Sequence, residues 1–339
     1  MRPLTRYGAD PADLAALLAA EPRYRADQVR GALWRRRIPL EEATELPVAL
    51  RTRLAQALPL ALDPLATITS SDELTTKWRF ATRDGAQVET VLMRSARRAS
   101  VCVSSQAGCA MACPFCATGQ AGFERHLSGP EIVEQVLRAQ HASPQRITNV
   151  VYMGMGEPLA NYEPVWESVT RLHADLGLSA RRITLSTIGV VPGMRRLAAE
   201  ALPVTLAVSL HAPDDALRSR LVPLNHRYPI AEVLDAAADV AGAHGRRVTF
   251  EYACIGDVND GPAEAEALGR LLGGWPGVGG AHVNLIPLNP TSGFEGRASP
   301  AARVRAFARR LRAHGVAVTV RRTRGDEIDA ACGQLRRPP

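Results

Sequence analysis

Apolar residues recur along this chain with two different periods, and the change from one to the other divides it. Over residues 13–20, 26–34 and 47–58 they return every three to four positions, the spacing that lays an apolar stripe along a helix. Residues 75–82 and 86–93 alternate instead, and Asp84-Gly85 between them supplies the residues of a tight hairpin turn. A small helical module with a β-extension is therefore predicted over residues 1–95. From residue 100 onward, short β-rich runs alternate with longer amphipathic stretches. Strands are predicted over 101–104, 148–153, 182–187, 204–210, 248–253 and 282–288, with 316–321 as a further one. Helices are predicted over 130–141, 162–175, 193–200, 230–244, 263–272 and 299–314, the last stopped by His314-Gly315. Strands alternating with helices at this spacing make an α/β fold with a parallel sheet, expected here as a partial (β/α)6 barrel over residues 96–339. In such a fold the site lies at the C-terminal ends of the strands. Gly156, Glu157, Ser186, Ser209, Leu210, His211 and Asn289 fall at those ends.

Composition changes this picture little, and charge somewhat more. Hydrophobic residues at 46% and charged ones at 22% are ordinary for a globular protein and exclude a disordered or fibrous chain. There is no uncharged apolar run of about 18 residues, the length of a membrane span. Arg2, Arg6 and Asp10 with no apolar segment behind them give no secretory signal, so a cytoplasmic protein is expected. The net charge of +7 makes an anionic partner, nucleic acid above all, a natural expectation. Lys77 is the only lysine; every other positive side chain is arginine. Arg23, Arg25, Arg30 and the run from Trp34 to Arg37 are candidate RNA contacts in the N-terminal module, although no RNA-binding fingerprint is present.

Six cysteines alter the picture most. Cys102, Cys109, Cys113 and Cys116 crowd into one stretch, with Cys254 and Cys332 apart. In a reducing compartment that clustering points to metal or thiol chemistry. Cys109, Cys113 and Cys116 are spaced Cx3Cx2C in the loop after the first barrel strand. Three thiolates on one loop can hold three irons of a [4Fe–4S] cube and leave the fourth open to a chelating substrate. The competing reading is a closed zinc site with His126 or Cys102 as fourth ligand, although the spacing is unlike paired zinc knuckles.

Cx3Cx2C with Phe115 before the last cysteine resembles the radical S-adenosylmethionine (SAM) superfamily. Its context narrows the resemblance: Val101-Cys-Val-Ser-Ser-Gln-Ala-Gly-Cys109, Gly154-Met-Gly-Glu-Pro158, Leu185-Ser-Thr187, Ser209-Leu-His211, Leu285-Ile-Pro-Leu-Asn-Pro290 and the 323–334 segment around Cys332. Together, in this order across residues 88–334, these motifs resemble the RlmN/Cfr family of RNA adenine methyltransferases. The resemblance implies a radical SAM barrel whose cluster is held by Cys109, Cys113 and Cys116. It implies that Gly156 and Glu157 meet the SAM amino group, and that Ser186, Ser209, Leu210, His211 and Asn289 are the other SAM contacts. Cys332 matches the methyl-carrying cysteine, Cys102 the second essential thiol and Glu89 the proton acceptor; Cys254 matches no role and is expected to pack. Also implied are two SAM molecules per turnover, a one-electron reductant such as flavodoxin, and adenosine C2 of 23S rRNA at the peptidyl transferase centre as target. The tRNA adenosine 3′ of the anticodon is a second implied target, and C8 of the same rRNA adenosine is the alternative. Two rivals remain open: a radical SAM enzyme acting on a small molecule or peptide, and a zinc-stabilised RNA-binding protein without catalysis.

Overall fold

The computed structural model describes residues 4–321 and 325–336 of the chain; Arg2, Thr323 and Arg324, used in the sequence reading, lie outside them. The N-terminal module is helical, as its period predicts. Helix α1 (Pro11–Leu17) opens on a reciprocal capping box between Asp10 and Asp13, which satisfies two of its free N–H groups. Helix α2 (Tyr24–Arg30) runs into a π-helical turn over Gly31–Arg36 and stops at Arg37, whose φ of 59° is left-handed. Helix α3 (Val48–Ala57) follows, burying Leu50 and Leu54.

Four antiparallel strands come next: β1 (Leu62–Thr69), β2 (Thr75–Thr82), β3 (Gln87–Ser95) and β4 (Arg98–Cys102). The β2–β3 hairpin turns at Asp84-Gly85, where Gly85 takes the positive φ of 89° that the turn requires. Strand β1 escaped the sequence reading because it contains Pro64, is bulged between Pro64 and Ala66, and lies at the sheet edge with almost every residue exposed.

Strand β4 joins two regimes, antiparallel to β3 and parallel to β7 (Ile147–Tyr152). The parallel series continues in chain order through β8 (Ile183–Thr187), β9 (Thr205–Ser209), β10 (Thr249–Cys254), β11 (His282–Pro287) and β12 (Ala317–Val320). Between these strands lie α5 (Gly129–His141), α6 (Tyr162–Ala174), α7 (Val191–Ala198), α9 (Ile230–His244), α10 (Pro262–Leu272) and α11 (Ala301–Ala313). Six parallel strands with their helices form the partial (β/α)6 barrel, and β12 adds a seventh. The sheet stays open, with β1 and β12 at its two edges.

Four short elements carried too few residues to show a period: β5 (Gln106–Gly108), α4 (Ala117–Gln120), β6 (Phe123–His126) and α8 (Asp215–Leu221). All four lie near the barrel mouth. Strand β4 begins and ends earlier than predicted: Val103 still donates its N–H to the Val151 carbonyl at 3.0 Å, but the Ser104 hydroxyl turns to donate to the Glu89 carbonyl at 2.6 Å.

Candidate active site

Backbone collisions fix the cysteine loop before any metal is considered. At Gly108, φ is 74° and a Cβ would collide with the Gly122 carbonyl, so β5 and β6 close on each other there. Cys109 N–H donates to Gly122 O at 2.9 Å, and Cys116 N–H to Cys113 O at 3.1 Å. Between them Ala112 has φ of 51°, an uncommon conformation for a residue with a side chain. A Cβ on Gly119 would lie 2.9 Å from Cys113 N, so α4 presses its backbone directly on the loop. The loop is a rigid platform.

Cys109, Cys113 and Cys116 line one cleft of about 1090 Å³ that opens to solvent at the C-terminal strand ends. Gly156, Glu157, Ser186, Ser209, His211 and Asn289 line it too, and so does Cys332 from the C-terminal segment. Burial pushes the Cys109 thiol up to about 12 and raises Cys113 further, with the neighbouring thiols adding to both. Such thiols stay protonated until a metal displaces the proton. Among the described residues no three Cys, His, Asp or Glu side chains gather as tightly as one metal ion requires. His126 lies outside the cleft, hydrogen-bonded to Gln106 at 3.0 Å, and Cys102 does not line it either. A closed zinc site lacks its fourth ligand. Three separate thiols facing one open cleft fit a cluster in which each thiolate takes a different iron.

Glu157 is buried, with one oxygen accepting from Leu159 N–H at 3.0 Å and the other from Ile188 N–H at 3.0 Å. Burial still outweighs those bonds and pushes its carboxyl up to about 7. Gly156 at φ 98° leaves no room for a side chain, since a Cβ would lie 2.6 Å from Gln106 Cβ. His211 also has a positive φ, 62°, and its Nδ1 accepts from Ala253 N–H at 3.0 Å. That bond leaves the proton on Nε2, and burial lowers the ring to about 3, so His211 is a neutral donor at any working pH. Phe115 packs edge-on against it at 5.0 Å.

Leu210, Cys102 and Glu89 do not line this cleft. The Leu210 side chain is in the core, and its carbonyl accepts from Arg218 Nε at 3.1 Å. Cys102 ends β4, buried, and the Cys332 thiol nearby adds to the burial that raises it to about 12. Glu89 faces a neighbouring cleft with Lys77, Arg79 and Asp329, and the segment bearing Cys332 is the wall between the two. Asn289 Nδ2 donates to Cys332 O at 2.9 Å and holds that wall to the barrel. Cys254 is fully buried in the core.

Arg218, on α8, escaped the sequence reading altogether. It is fully buried and donates to the carbonyls of Ile188, Ser209 and Leu210 and to Asn225 Oδ1, tying the ends of β8 and β9 together beneath the cleft. One arginine among many in a charged helix gives no signal of such a role. Among the proposed RNA contacts, Trp34 needs correction: it is buried against Tyr7 in the core and offers no face for a base. Its hydrophobic area outweighs its usefulness at the surface. Arg25, Arg30, Arg36 and Arg37 are engaged within the chain, by Glu45 O, Asp175, Glu45 and Leu176 O respectively. Arg23, Arg35 and Arg36 are exposed, and Arg35 also donates to the Asp27 carbonyl at 3.1 Å.

An open α/β barrel with three cysteines on a rigid loop at its C-terminal rim is the construction of a radical SAM enzyme. The Radical SAM superfamily model matches residues 103–267. The "probable dual-specificity RNA methyltransferase RlmN" of Frankia alni is 53% identical over 99% of this chain and 86% of its own. Its namesake from Thermobifida fusca is 54% identical over 86% of this chain and 82% of its own. The crystal structure of a radical SAM methyltransferase from Sphaerobacter thermophilus superposes with a TM-score of 0.92 at 48% identity, covering 98% of this chain and 99% of that one. The chain belongs to the RlmN family of radical SAM RNA methyltransferases.

Proposed function

We propose that this enzyme methylates C2 of an adenosine in 23S rRNA and the adenosine 3′ of a tRNA anticodon, with Cys332 as methyl carrier. The observation that carries the reading is a thiol, Cys332, in the same cleft as the three-cysteine loop, whose charge is felt by a second buried thiol, Cys102, at the end of β4. Ring carbon C2 lies between two nitrogens and is electrophilic, so it has no electron pair with which to take a methyl cation from SAM. A thiolate does, and Cys332 can be methylated first by ordinary displacement. Cys109, Cys113 and Cys116 would hold the [4Fe–4S] cluster, which when bound supplies the electron that cleaves a second SAM to an adenosyl radical. Gly156, Glu157, Ser186, Ser209, His211 and Asn289, which line the cleft, would orient that SAM, with Leu210 only backing them from the core. Loss of a hydrogen atom from the Cys332 methyl group then lets its carbon add to the ring. The ring radical so formed would give up one electron to the one-electron carrier and its C2 proton to Glu89. The Cys102 thiolate would then attack the Cys332 sulfur and break its bond to the methylene carbon, which takes up a proton to become the product methyl group, leaving a Cys102–Cys332 disulfide that two electrons from the reductant reopen.

Residues 1–95 would serve as the RNA-binding accessory module and 96–339 as the catalytic domain, with exposed Arg23 and Arg35 among the phosphate contacts. The target base must be splayed out of its stack to enter the cleft. A one-electron donor such as flavodoxin and a cytoplasmic location complete the reading. No helix of the described residues is long and apolar enough to cross a membrane.

The test is a pair of cysteine variants. Cys332→Ala should keep its iron and make no methylated RNA; product from it would favour a small-molecule radical enzyme. Cys102→Ala should methylate Cys332 and add to the base but not let go, accumulating a nuclease-sensitive covalent enzyme–RNA species on reducing, denaturing gels. Normal turnover without adduct would remove Cys102 from the mechanism. Mass-spectrometric mapping of the product decides C2 against C8.

A further inference from the structure

Lysine occurs once in this chain, against forty arginines within the total of 41 basic side chains. That one position, Lys77 on β2, is not at the surface: it is 8% exposed. Its ammonium lies 3.3 Å from Glu89 Oε1 on the neighbouring strand and donates to the Asp329 carbonyl at 3.1 Å. Asp329 holds that carbonyl in place with a left-handed φ of 52°. The other Glu89 oxygen accepts from Arg336 N–H at 3.0 Å. One buried ion pair thus grips both ends of the 329–336 segment, and Cys332 sits between the two grips.

The charged groups facing Glu89 are Lys77 and Arg79 from β2 and Arg336 and Asp329 from the C-terminal segment. Burial raises the Glu89 carboxyl, while Lys77 is the strongest of the groups pulling it down, ahead of the Arg336 N–H and Arg79. A compact ammonium with freely directed protons can serve a carboxylate and a carbonyl from one buried point; a flat guanidinium needs more room and leaves donors without partners. Every other basic side chain of Lys or Arg type in the chain is arginine, and the one lysine stands at this point.

We propose that Lys77 is the positioning residue for Glu89: it keeps the buried carboxylate in its basic form and ties it to the segment that carries Cys332. The proposal rests on the reading of Glu89 as proton acceptor in product release. Its structural half is checked without turnover. Protein labelled only in lysine with carbon-13 carries a single side-chain ε-carbon signal, from Lys77. That signal should show an inflection as Glu89 titrates, and Glu89→Gln should abolish it. A lysine signal insensitive to Glu89→Gln overturns the pairing.

The functional half is read from the rate at which the covalent enzyme–RNA species resolves, followed against pH. Removing the cation in Lys77→Met should move the acidic limb upward by about one pH unit. It should slow resolution by about tenfold at pH values below the wild-type limb and by less above it, leaving 5′-deoxyadenosine formation within about twofold. Lys77→Arg, which keeps the charge but cannot serve the carboxylate and the carbonyl from one point, should place the limb between those of wild type and Lys77→Met. If Lys77→Met gives the wild-type limb while Glu89→Gln traps the adduct, the role of Lys77 is overturned and that of Glu89 stands. If Glu89→Gln resolves the adduct like wild type, Glu89 is not the base and the proposal falls with that reading. Should Lys77→Met fail to fold, the lysine signal decides the pairing, and a Lys77→Arg limb at the wild-type position overturns the positioning role.

Discussion

At Glu157 two tendencies oppose each other, and their balance makes a pH-dependent prediction. Two backbone N–H groups stabilise the carboxylate, yet burial dominates and pushes the carboxyl up to about 7, well above the ordinary carboxylate range. A pKa raised by folding means that the folded chain holds the proton more tightly than the unfolded one. The corresponding stability is present in full below the unfolded value and is lost as pH rises through the folded value. Between pH 5 and pH 8 wild-type apoprotein should therefore lose stability that Glu157→Gln does not, by of order 3 kcal/mol in chemical denaturation. Equal pH profiles for the two proteins would refute the burial argument. If SAM sits against Glu157 as proposed, its positive charge lowers the raised carboxyl, and SAM binding at neutral pH should release a proton from this residue in wild type that Glu157→Gln does not release. The legibility of single residues was uneven. Cysteines declared themselves through spacing, because thiol chemistry depends on which thiols share a loop. Arg218 did not, because its role comes from burial beneath two strand ends that meet only in three dimensions.

Among elements, those that bury a face were legible and those that only shape the mouth were not. The six strands from β4 to β11 and their helices carry apolar periods because each must cover the barrel wall. Strands β5 and β6 and helix α4 span three or four residues, too short for a period, yet they decide where the cysteine loop sits. At Gly119 helix propensity and tertiary geometry conflict. Propensity alone favours alanine over glycine by about 1 kcal/mol in a helix interior. A Cβ there would lie 2.9 Å from Cys113 N and 3.0 Å from Cys113 O, and backbone atoms on a pinned loop cannot yield cheaply. Contact should win over propensity. Gly119→Ala should hold less iron per chain after anaerobic reconstitution, with the apoprotein melting within a few degrees of wild type. Full iron content in that variant would mean that the loop is softer than its hydrogen bonds indicate.

The largest scale adds a constraint that neither residues nor elements contain. One apolar core runs from Tyr7 and Leu14 in the N-terminal helices to Leu311 and Val316 at the far side of the barrel. The seam between them is closed by Glu134 on α5, which is fully buried. Its carboxylate accepts from Ala61 N–H at 2.7 Å and Leu62 N–H at 3.2 Å, where the helical module becomes strand β1. Arg138, one turn along α5, bonds the same carboxylate at 3.2 Å and the Leu62 carbonyl at 2.6 Å. Replacing Glu134 by Leu leaves two buried N–H groups without acceptors and a half-buried guanidinium without its anion. Breaking one side of such a network typically costs about 3 kcal/mol or more, because the abandoned groups cannot return to water. Since the core is continuous, that loss should appear as a single transition at lower denaturant, with far-ultraviolet circular dichroism and tryptophan fluorescence coinciding. Separate transitions would show instead that the helical module opens independently of the barrel. In that case the orientation of any RNA held by Arg23 and Arg35 would be set by a hinge, whereas a shared core sets it by the same sheet that fixes the cysteine cleft.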